Sequence, residues 1–225
     1  RDGNIEVVAQ GDGLKSDNEE DATMGYVLIE GGVVGVSAGG DAIDGQTDAM
    51  ITGGEVSLSS GGGSNGRIDE SASAKGIKGV VGVTIDGGTV TVSSADDAIH
   101  SNGSVTINGG TLALASVDDG MHADTTLEIN GGEITIIESY EGIESAAITI
   151  NDGDIRIAAS DDGINVAGGA DGSGMAMGPG FGGGPGGRPG GRPGQESLAA
   201  AGDYRLVING GYICMDADGD GLDSN

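Results

Sequence analysis

Acidic residues recur at regular intervals along the middle of the chain, and of all its side chains they point most clearly to a chemistry. Each acid or acid pair is followed by a small residue and then by an aliphatic one. The recurring acids are Asp96 and Asp97, Asp118 and Asp119, Glu141, and Asp161 and Asp162, with weaker copies at Asp41 and Asp220. Such carboxylates can bind cations, or they can accept hydrogen bonds from the backbone of a turn.

The residues around these acids define a repeat. The aliphatic residues that follow the acids are 22, 22 and 21 residues apart, at Ile99, Met121, Ile143 and Ile164. A second aliphatic marker, which shortly precedes a glycine, shows the same three spacings at Ile85, Ile107, Ile129 and Ile150. Two markers in phase indicate a structural repeat of about 22 residues.

Within a repeat, apolar and polar residues alternate with a period of two, which is typical of β-strands. Val105 and Ile107 are expected to point inward while Thr106 points outward, and Asn108-Gly109-Gly110 is expected to form a corner. The sequence therefore predicts an all-β fold, a right-handed parallel β-helix with about 22 residues per coil. We expect one domain over residues 1–225, with Gly-rich insertions at 59–74 and 168–194.

Stacked repeats would bring the recurring acids into a column. Two carboxylates at ~5 Å repel by about 3 kcal/mol at an effective dielectric constant near 20. Raised pKa values, hydrogen bonds from corner amides or bound cations could relieve this repulsion. Calcium fits best among the metals because it accepts many oxygen ligands in a flexible geometry. The predicted calcium ligands are the recurring acids named above, and the alternative is that each acid only caps backbone amides.

A second set of polar residues lies one position after the repeated aliphatic residue. Its members are Lys78, His100, His122, Glu144 and Asn165. We expect this set to form an outward column that contacts a ligand, and the alternative is an ordinary solvated face. The two histidines could bind a transition metal, but no third soft ligand accompanies them, so the alternative is a polar ladder.

The overall charge excludes some partners. The chain has 36 acidic and 9 basic side chains, with a formal net charge of −27. Such a charge repels nucleic acid and anionic membranes and attracts cations. The single cysteine, Cys214, excludes an internal disulfide, and no run of 18 apolar residues is present. A first residue that is not Met is compatible with removal of a signal peptide, and we expect an extracellular or cell-surface protein.

Longer strings of the sequence resemble a known family. They are ADDAIHSNGSVTINGGTLAL, VDDGMHADTTLEINGGEITI, SDDGINVAGG and YRLVINGGYICMDADGDGLDSN. They are similar to the clostridial-type carbohydrate-binding β-helix family, once called a domain of unknown function. The resemblance implies a pectate-lyase-like fold, bound calcium, and binding of acidic plant polysaccharide (polygalacturonate) and of cellulose without cleavage.

Three functions are compatible with these features. The first is non-catalytic binding of an acidic cell-wall polysaccharide, bridged to the protein by calcium. The second is a calcium-dependent lyase, for which Lys75, Lys78 and Arg156 are the basic residues available. The third is structural: head-to-tail stacking of chains into a filament, because open strand edges favour pairing.

Overall fold

The computed structural model describes residues 3–18, 20–21, 23–68, 72–167 and 204–224. The described residues form twenty-one strands and no helix. In chain order the strands are β1 (Asn4–Ala9), β2 (Leu14–Ser16), β3 (Val27–Ile29), β4 (Val33–Ala38), β5 (Ile43–Gly45), β6 (Asp48–Ile51), β7 (Glu55–Ser60), β8 (Ile77–Gly79), β9 (Gly82–Ile85), β10 (Thr89–Ser94), β11 (Ile99–Ser101), β12 (Ser104–Ile107), β13 (Thr111–Ser116), β14 (Met121–Ile129), β15 (Glu133–Glu138), β16 (Ile143–Ile150), β17 (Asp154–Ala159), β18 (Ile164–Val166), β19 (Arg205–Ile208), β20 (Tyr212–Ala217) and β21 (Leu222–Ser224).

The strands form two parallel sheets. The first has eight strands in the order β1-β4-β7-β10-β13-β15-β17-β20, and the second contains the other thirteen. In the middle of the first sheet, Thr89 pairs with Thr111, and Thr111 pairs with Glu133, which are steps of 22 residues. The predicted all-β fold with parallel strands is confirmed.

The core lies between the sheets and is aliphatic, as the alternation predicts. The inward positions of the two central repeats are at most 1% exposed: Val105, Ile107, Leu112, Leu114, Leu127, Ile129, Ile134 and Ile136. Their neighbours Thr106 and Thr111 lie towards solvent. Because equivalent residues pair in register, each apolar side chain packs on its counterpart in the next repeat.

The corner between the sheets is built from asparagine and glycine. Gly110 and Gly132 have φ values of 104° and 107°, a left-handed conformation that glycine adopts without steric cost. The side chains before them form a ladder, in which Asn130 Nδ2 donates to Asn108 Oδ1 (2.8 Å) and Asn151 Nδ2 donates to Asn130 Oδ1 (2.7 Å). These hydrogen bonds hold the corners of successive repeats at a constant spacing along the stack.

The two predicted insertions differ in how far the structure describes them. Ser59 and Ser60 belong to β7 and pair with Ser93 and Ser94, so the first insertion begins after Ser60 rather than at Ser59. Residues 168–194 lie outside the described residues. The described residues contain no helix that is long and apolar enough to cross a membrane.

Candidate functional site

The predicted stacking of the acids is present at the corner that precedes the short strands of the second sheet. A continuous series of backbone hydrogen bonds joins equivalent positions, for example from Ala98 N to Asp119 O and from Gly120 N to Glu141 O, both 2.9 Å. We call the stacked residues the acidic column. Its members are Asp12, Asp41, Lys75, Asp97, Asp119, Glu141, Asp162 and Asp220.

A second line of side chains runs parallel to the acidic column, three residues further along each repeat. Strand pairing places its members in register, and we call it the polar column. Its members are Lys15, Asp44, Lys78, His100, His122, Glu144, Asn165 and Asp223. The predicted alignment of Lys78, His100, His122, Glu144 and Asn165 is therefore found in the structure.

The expected exposure of this column differs from the structure. The side chains of His100 and His122 are 3% and 1% exposed, and Asn165 is also buried. The two imidazole rings stack with their centroids 5.1 Å apart. These three residues offer a polymer almost no accessible surface. Glu144 and Lys78 are partly exposed and stay predicted contacts.

In one repeat, Lys75 occupies the position of the acidic column that is an acid in the other repeats. The Nζ of Lys75 lies 2.9 Å from Asp96 Oδ1 and 2.8 Å from Asp97 Oδ2, and Lys75 is only 2% exposed. Although burial opposes it, the charges of Asp97 and Asp96 raise the pKa of Lys75. Burial alone would raise the pKa of Asp97, but the charge of Lys75 and the hydrogen bond from His100 outweigh burial and hold this pKa well below its ordinary value.

Lysines also partly neutralise the acids of the first repeats. Lys15 Nζ lies 2.6 Å from Asp12 Oδ2 and 2.8 Å from Asp44 Oδ2. Lys78 Nζ lies 3.3 Å from Asp41 Oδ2 and 3.6 Å from Asp44 Oδ1. These ammonium groups occupy positions where the sequence predicted calcium at Asp41, Asp96 and Asp97. Calcium at these three acids stays a prediction, in which an ion would share the carboxylates with the lysines. Asp12, Asp41 and Asp44 place one ligand atom each within 4.8 Å of one another, and so do Asp96, Asp97 and Asp118.

Lysine and arginine are absent from both columns from Asp119 onward. Asp119, His122 and Glu144 place one ligand atom each within 4.8 Å of one another. Burial raises the pKa of Asp119 well above its ordinary value, although the hydrogen bond with His122 opposes the rise. Burial and a hydrogen bond with Glu141 raise the pKa of Glu144 to about 10. Protons or a bound cation must therefore compensate this cluster.

The last acids of the acidic column are more open to solvent. Asp161, Asp162 and Glu141 are partly exposed, and Asp220 is exposed. Partial burial and the charges of nearby carboxylates, Asp161 foremost, raise the pKa of Asp162, against the hydrogen bond from the Asp220 amide. A hydrogen bond to Asp161 raises the pKa of the Tyr140 hydroxyl to about 12. Carboxylate oxygens are the ligand type that calcium accepts.

Capping of backbone amides, the alternative reading of the acids, also occurs. Asp97 Oδ1 accepts a hydrogen bond from Asp119 N (3.1 Å), and Asp162 Oδ1 accepts one from Asp220 N (2.7 Å). Each of these aspartates has a second carboxylate oxygen, so capping and cation binding do not exclude one another.

A family model described as carbohydrate-binding domain-containing protein matches residues 1–120. The chain belongs to this carbohydrate-binding family. No curated protein matches the chain, and no solved structure matches it either. The matched residues include the two lysine-paired clusters and Asp119, but not His122 or Glu144.

A carbohydrate-binding protein needs surfaces where a sugar ring can lie. Arg156 and Tyr212 lie next to each other on the first sheet, with the guanidinium carbon 5.5 Å from the ring centroid. Beside them, a shallow cleft is lined by the glycine corners of neighbouring repeats, including Gly132, Gly153 and Gly211, and by Tyr212. This cleft exposes backbone polar groups next to an aromatic ring, an arrangement that suits a sugar.

Several features of the site were not found from the sequence. Lys75 precedes Gly76-Ile77 where other repeats have an acid, so alignment of the repeats could have placed it in the acidic column. Asp124 Oδ1, which lies 3.1 Å from His122 Nε2, comes two residues after the histidine and outside the repeated acid motif, so the pattern gave no signal for it.

Proposed function

We propose that the chain is a non-catalytic polysaccharide-binding protein, that it prefers acidic polymers such as polygalacturonate, and that calcium on its exposed acids bridges it to them. The family match supports carbohydrate binding. Calcium and the acidic polymer are our extension of it. An extracellular or cell-surface location belongs to the same proposal.

We infer that the architecture is a right-handed parallel β-helix. Strand partners one repeat apart in both sheets support a coil of about 22 residues. A connection between parallel strands of one sheet is right-handed in about 98% of cases. Such a rod would present the acidic column as one straight line of side chains, which are carboxylates except at Lys75.

The observation that carries the acidic-polymer proposal is the change in charge along the acidic column. In its first repeats Lys15, Lys75 and Lys78 partly neutralise the acids, whereas the members from Asp119 onward include no lysine or arginine. With a net charge of −27, the protein should repel a polyanion unless a cation lies between them. Calcium at Glu141, Asp161, Asp162 and Asp220 would supply that cation, with free coordination positions for uronate carboxylates.

The environments of Lys75 and Arg156 support binding rather than cleavage. A lyase needs a base that is neutral and reaches the substrate. Lys75 is buried between two aspartates, which raise its pKa and keep it protonated. Arg156 is paired with Asp154 (2.5 Å). The few aromatic residues of the chain make a flat cellulose surface a weaker ligand than a uronic acid polymer.

Sedimentation of the protein with insoluble calcium-crosslinked pectate and with cellulose would test the proposal. We expect the chain to sediment with pectate when calcium is present. In the chelator control the pectate is immobilised on beads so that it still sediments, and the chain should stay in the supernatant. Asp161→Asn/Asp162→Asn should weaken binding, whereas Glu55→Gln/Glu133→Gln, an equal change of charge on the other sheet, should not.

Two outcomes would contradict this proposal. One is equal binding to immobilised pectate with and without calcium. The other is an increase in ultraviolet absorbance from unsaturated products, which would show that the protein cleaves the polymer.

A further inference from the structure

One cluster of the two columns contains an imidazole together with carboxylates. Asp119, His122 and Glu144 lie on two adjacent repeats, where His122 pairs with Glu144 across the ladder. Their ligand atoms are within 4.8 Å of one another. Calcium prefers oxygen ligands alone, whereas zinc-class ions accept histidine nitrogen together with carboxylate oxygen.

The distances within the cluster match a small tetrahedral ion. His122 Nδ1 lies 3.2 Å from Asp119 Oδ2. Two ligand atoms that each lie ~2.0–2.1 Å from one tetrahedral zinc are ~3.3 Å apart. The nitrogen and the oxygen therefore need almost no movement to share an ion, and Glu144 needs a small shift.

A carboxylate also contacts the second nitrogen of the His122 ring. Nε2 lies 3.1 Å from Asp124 Oδ1, and the Asp124 side chain is partly exposed. A carboxylate that accepts the Nε2 proton directs the lone pair of Nδ1 towards Asp119 and Glu144. Metal-binding histidines in proteins are oriented in this way by an outer carboxylate.

An independent observation comes from the next repeat. Asn165 pairs with Glu144 across the ladder, and its Nδ2 donates to both Glu141 oxygens (3.0 and 2.9 Å). Its Oδ1 is buried and has no hydrogen-bond partner among the described residues, in a side chain only 8% exposed. A buried amide oxygen without a partner costs free energy, and a cation or its bound water would satisfy it.

In the preceding repeat, the ammonium group of Lys75 is the cation beside the equivalent aspartate and histidine. There His100 Nδ1 lies 2.8 Å from Asp97 Oδ2, as His122 lies beside Asp119, but Lys75 Nζ contacts the same Asp97 oxygen. At His122, one repeat further along the chain, neither column offers a lysine, and Glu144 lies close to the histidine and Asp119 instead. We propose that Asp119 Oδ2, His122 Nδ1 and a Glu144 oxygen bind one zinc-class divalent ion, oriented by Asp124 and completed by Asn165 or water.

This site is distinct from calcium on the exposed acids, and it shares only Glu144 with the predicted polymer contacts. The ion would link two adjacent repeats and balance the charges of Asp119 and Glu144. Partly exposed Glu144 and Asp124 provide the route by which an ion enters.

Calorimetric titration of the chelator-treated full chain with zinc, and separately with calcium, tests the site. We expect one zinc ion per chain whose affinity falls at least ~100-fold in His122→Gln and ~10–100-fold in Asp124→Asn. The matched control is His100→Gln, a buried histidine stacked on His122, which should change zinc affinity less than ~3-fold. Calcium at equal concentration should not displace the zinc.

Equal zinc affinity in wild type and His122→Gln, equal loss in His100→Gln, or displacement by calcium would overturn the proposal. If the variants fail to fold by circular dichroism, crystals of the wild type soaked in zinc decide the question. Anomalous density ~2.0–2.1 Å from His122 Nδ1 is expected, and its absence there would refute the site.

Discussion

Replacement of Lys75 by methionine should strongly destabilise the chain. Methionine keeps most of the buried volume but leaves Asp96 and Asp97 without their shared ammonium group, whose Nζ lies 2.9 and 2.8 Å from them. Removal of one partner from a buried ion pair costs about 3–5 kcal/mol, because the remaining charge is buried without compensation. Since Lys75 is 2% exposed and two carboxylates lose it, we expect the upper half of that range.

Urea unfolding followed by circular dichroism, in chelator at pH 8, measures this change. The matched control is Lys15→Met, since Lys15 also contacts two aspartates, at 2.6 and 2.8 Å, but is 44% exposed. An exposed pair of this kind contributes about 0–1 kcal/mol. The cost of Lys75→Met should shrink at pH 5, where the two aspartates can take up protons, and Lys75→Met/Asp97→Asn should recover part of it. A loss no larger than that of Lys15→Met would refute lysine as the buried counter-ion.

Three further predictions follow from the same contacts. Because the pKa of Asp97 is lowered in the folded chain, its ionised carboxylate stabilises the fold fully above the unfolded pKa of ~3.9, and this stabilisation is lost as pH falls towards the folded pKa. The free energy of unfolding should therefore fall less steeply below pH ~4 in Asp97→Asn than in wild type. In an ultraviolet pH titration Tyr140 should ionise with a pKa of about 12, and Asp161→Asn should return this pKa towards its ordinary value of ~10, whereas an unchanged curve would contradict the Tyr140–Asp161 hydrogen bond. Asn130→Ala breaks two ladder hydrogen bonds and Asn209→Ala breaks one, so chemical denaturation should show a loss of about 1–3 kcal/mol for Asn130 and about half of that for Asn209, and equal losses would argue against the ladder.

The repeat, the strands and the core were predictable because they depend on local pattern. The 22-residue spacing of Ile107 and Ile129 and the alternation around them place each residue inside or outside without knowledge of distant contacts. The alignment of the acids followed from the same spacing.

The roles of the aligned residues were harder to predict. Exposure of His100 and His122 was wrongly expected, since period-two alternation places them outward while side chains of adjacent repeats bury them. Lys75 lies 21 and 22 residues before the aspartates that it neutralises, and only the stacked structure shows their contact. Side-chain directions, such as that of Asp124 towards His122, follow from packing and cannot be read from spacing.

Head-to-tail assembly stays a prediction, and sedimentation velocity over a range of concentrations measures it. An increase of the sedimentation coefficient with concentration would support assembly, and a constant monomer value would reject it.

The affinity of the chain for one soluble oligogalacturonate, measured by calorimetry at several calcium concentrations, tests calcium bridging most directly. We predict that affinity rises with calcium, is lost in chelator, and falls in Asp161→Asn/Asp162→Asn. An affinity that is the same in chelator as in calcium, or equally tight binding of an uncharged oligosaccharide of the same length, would contradict it.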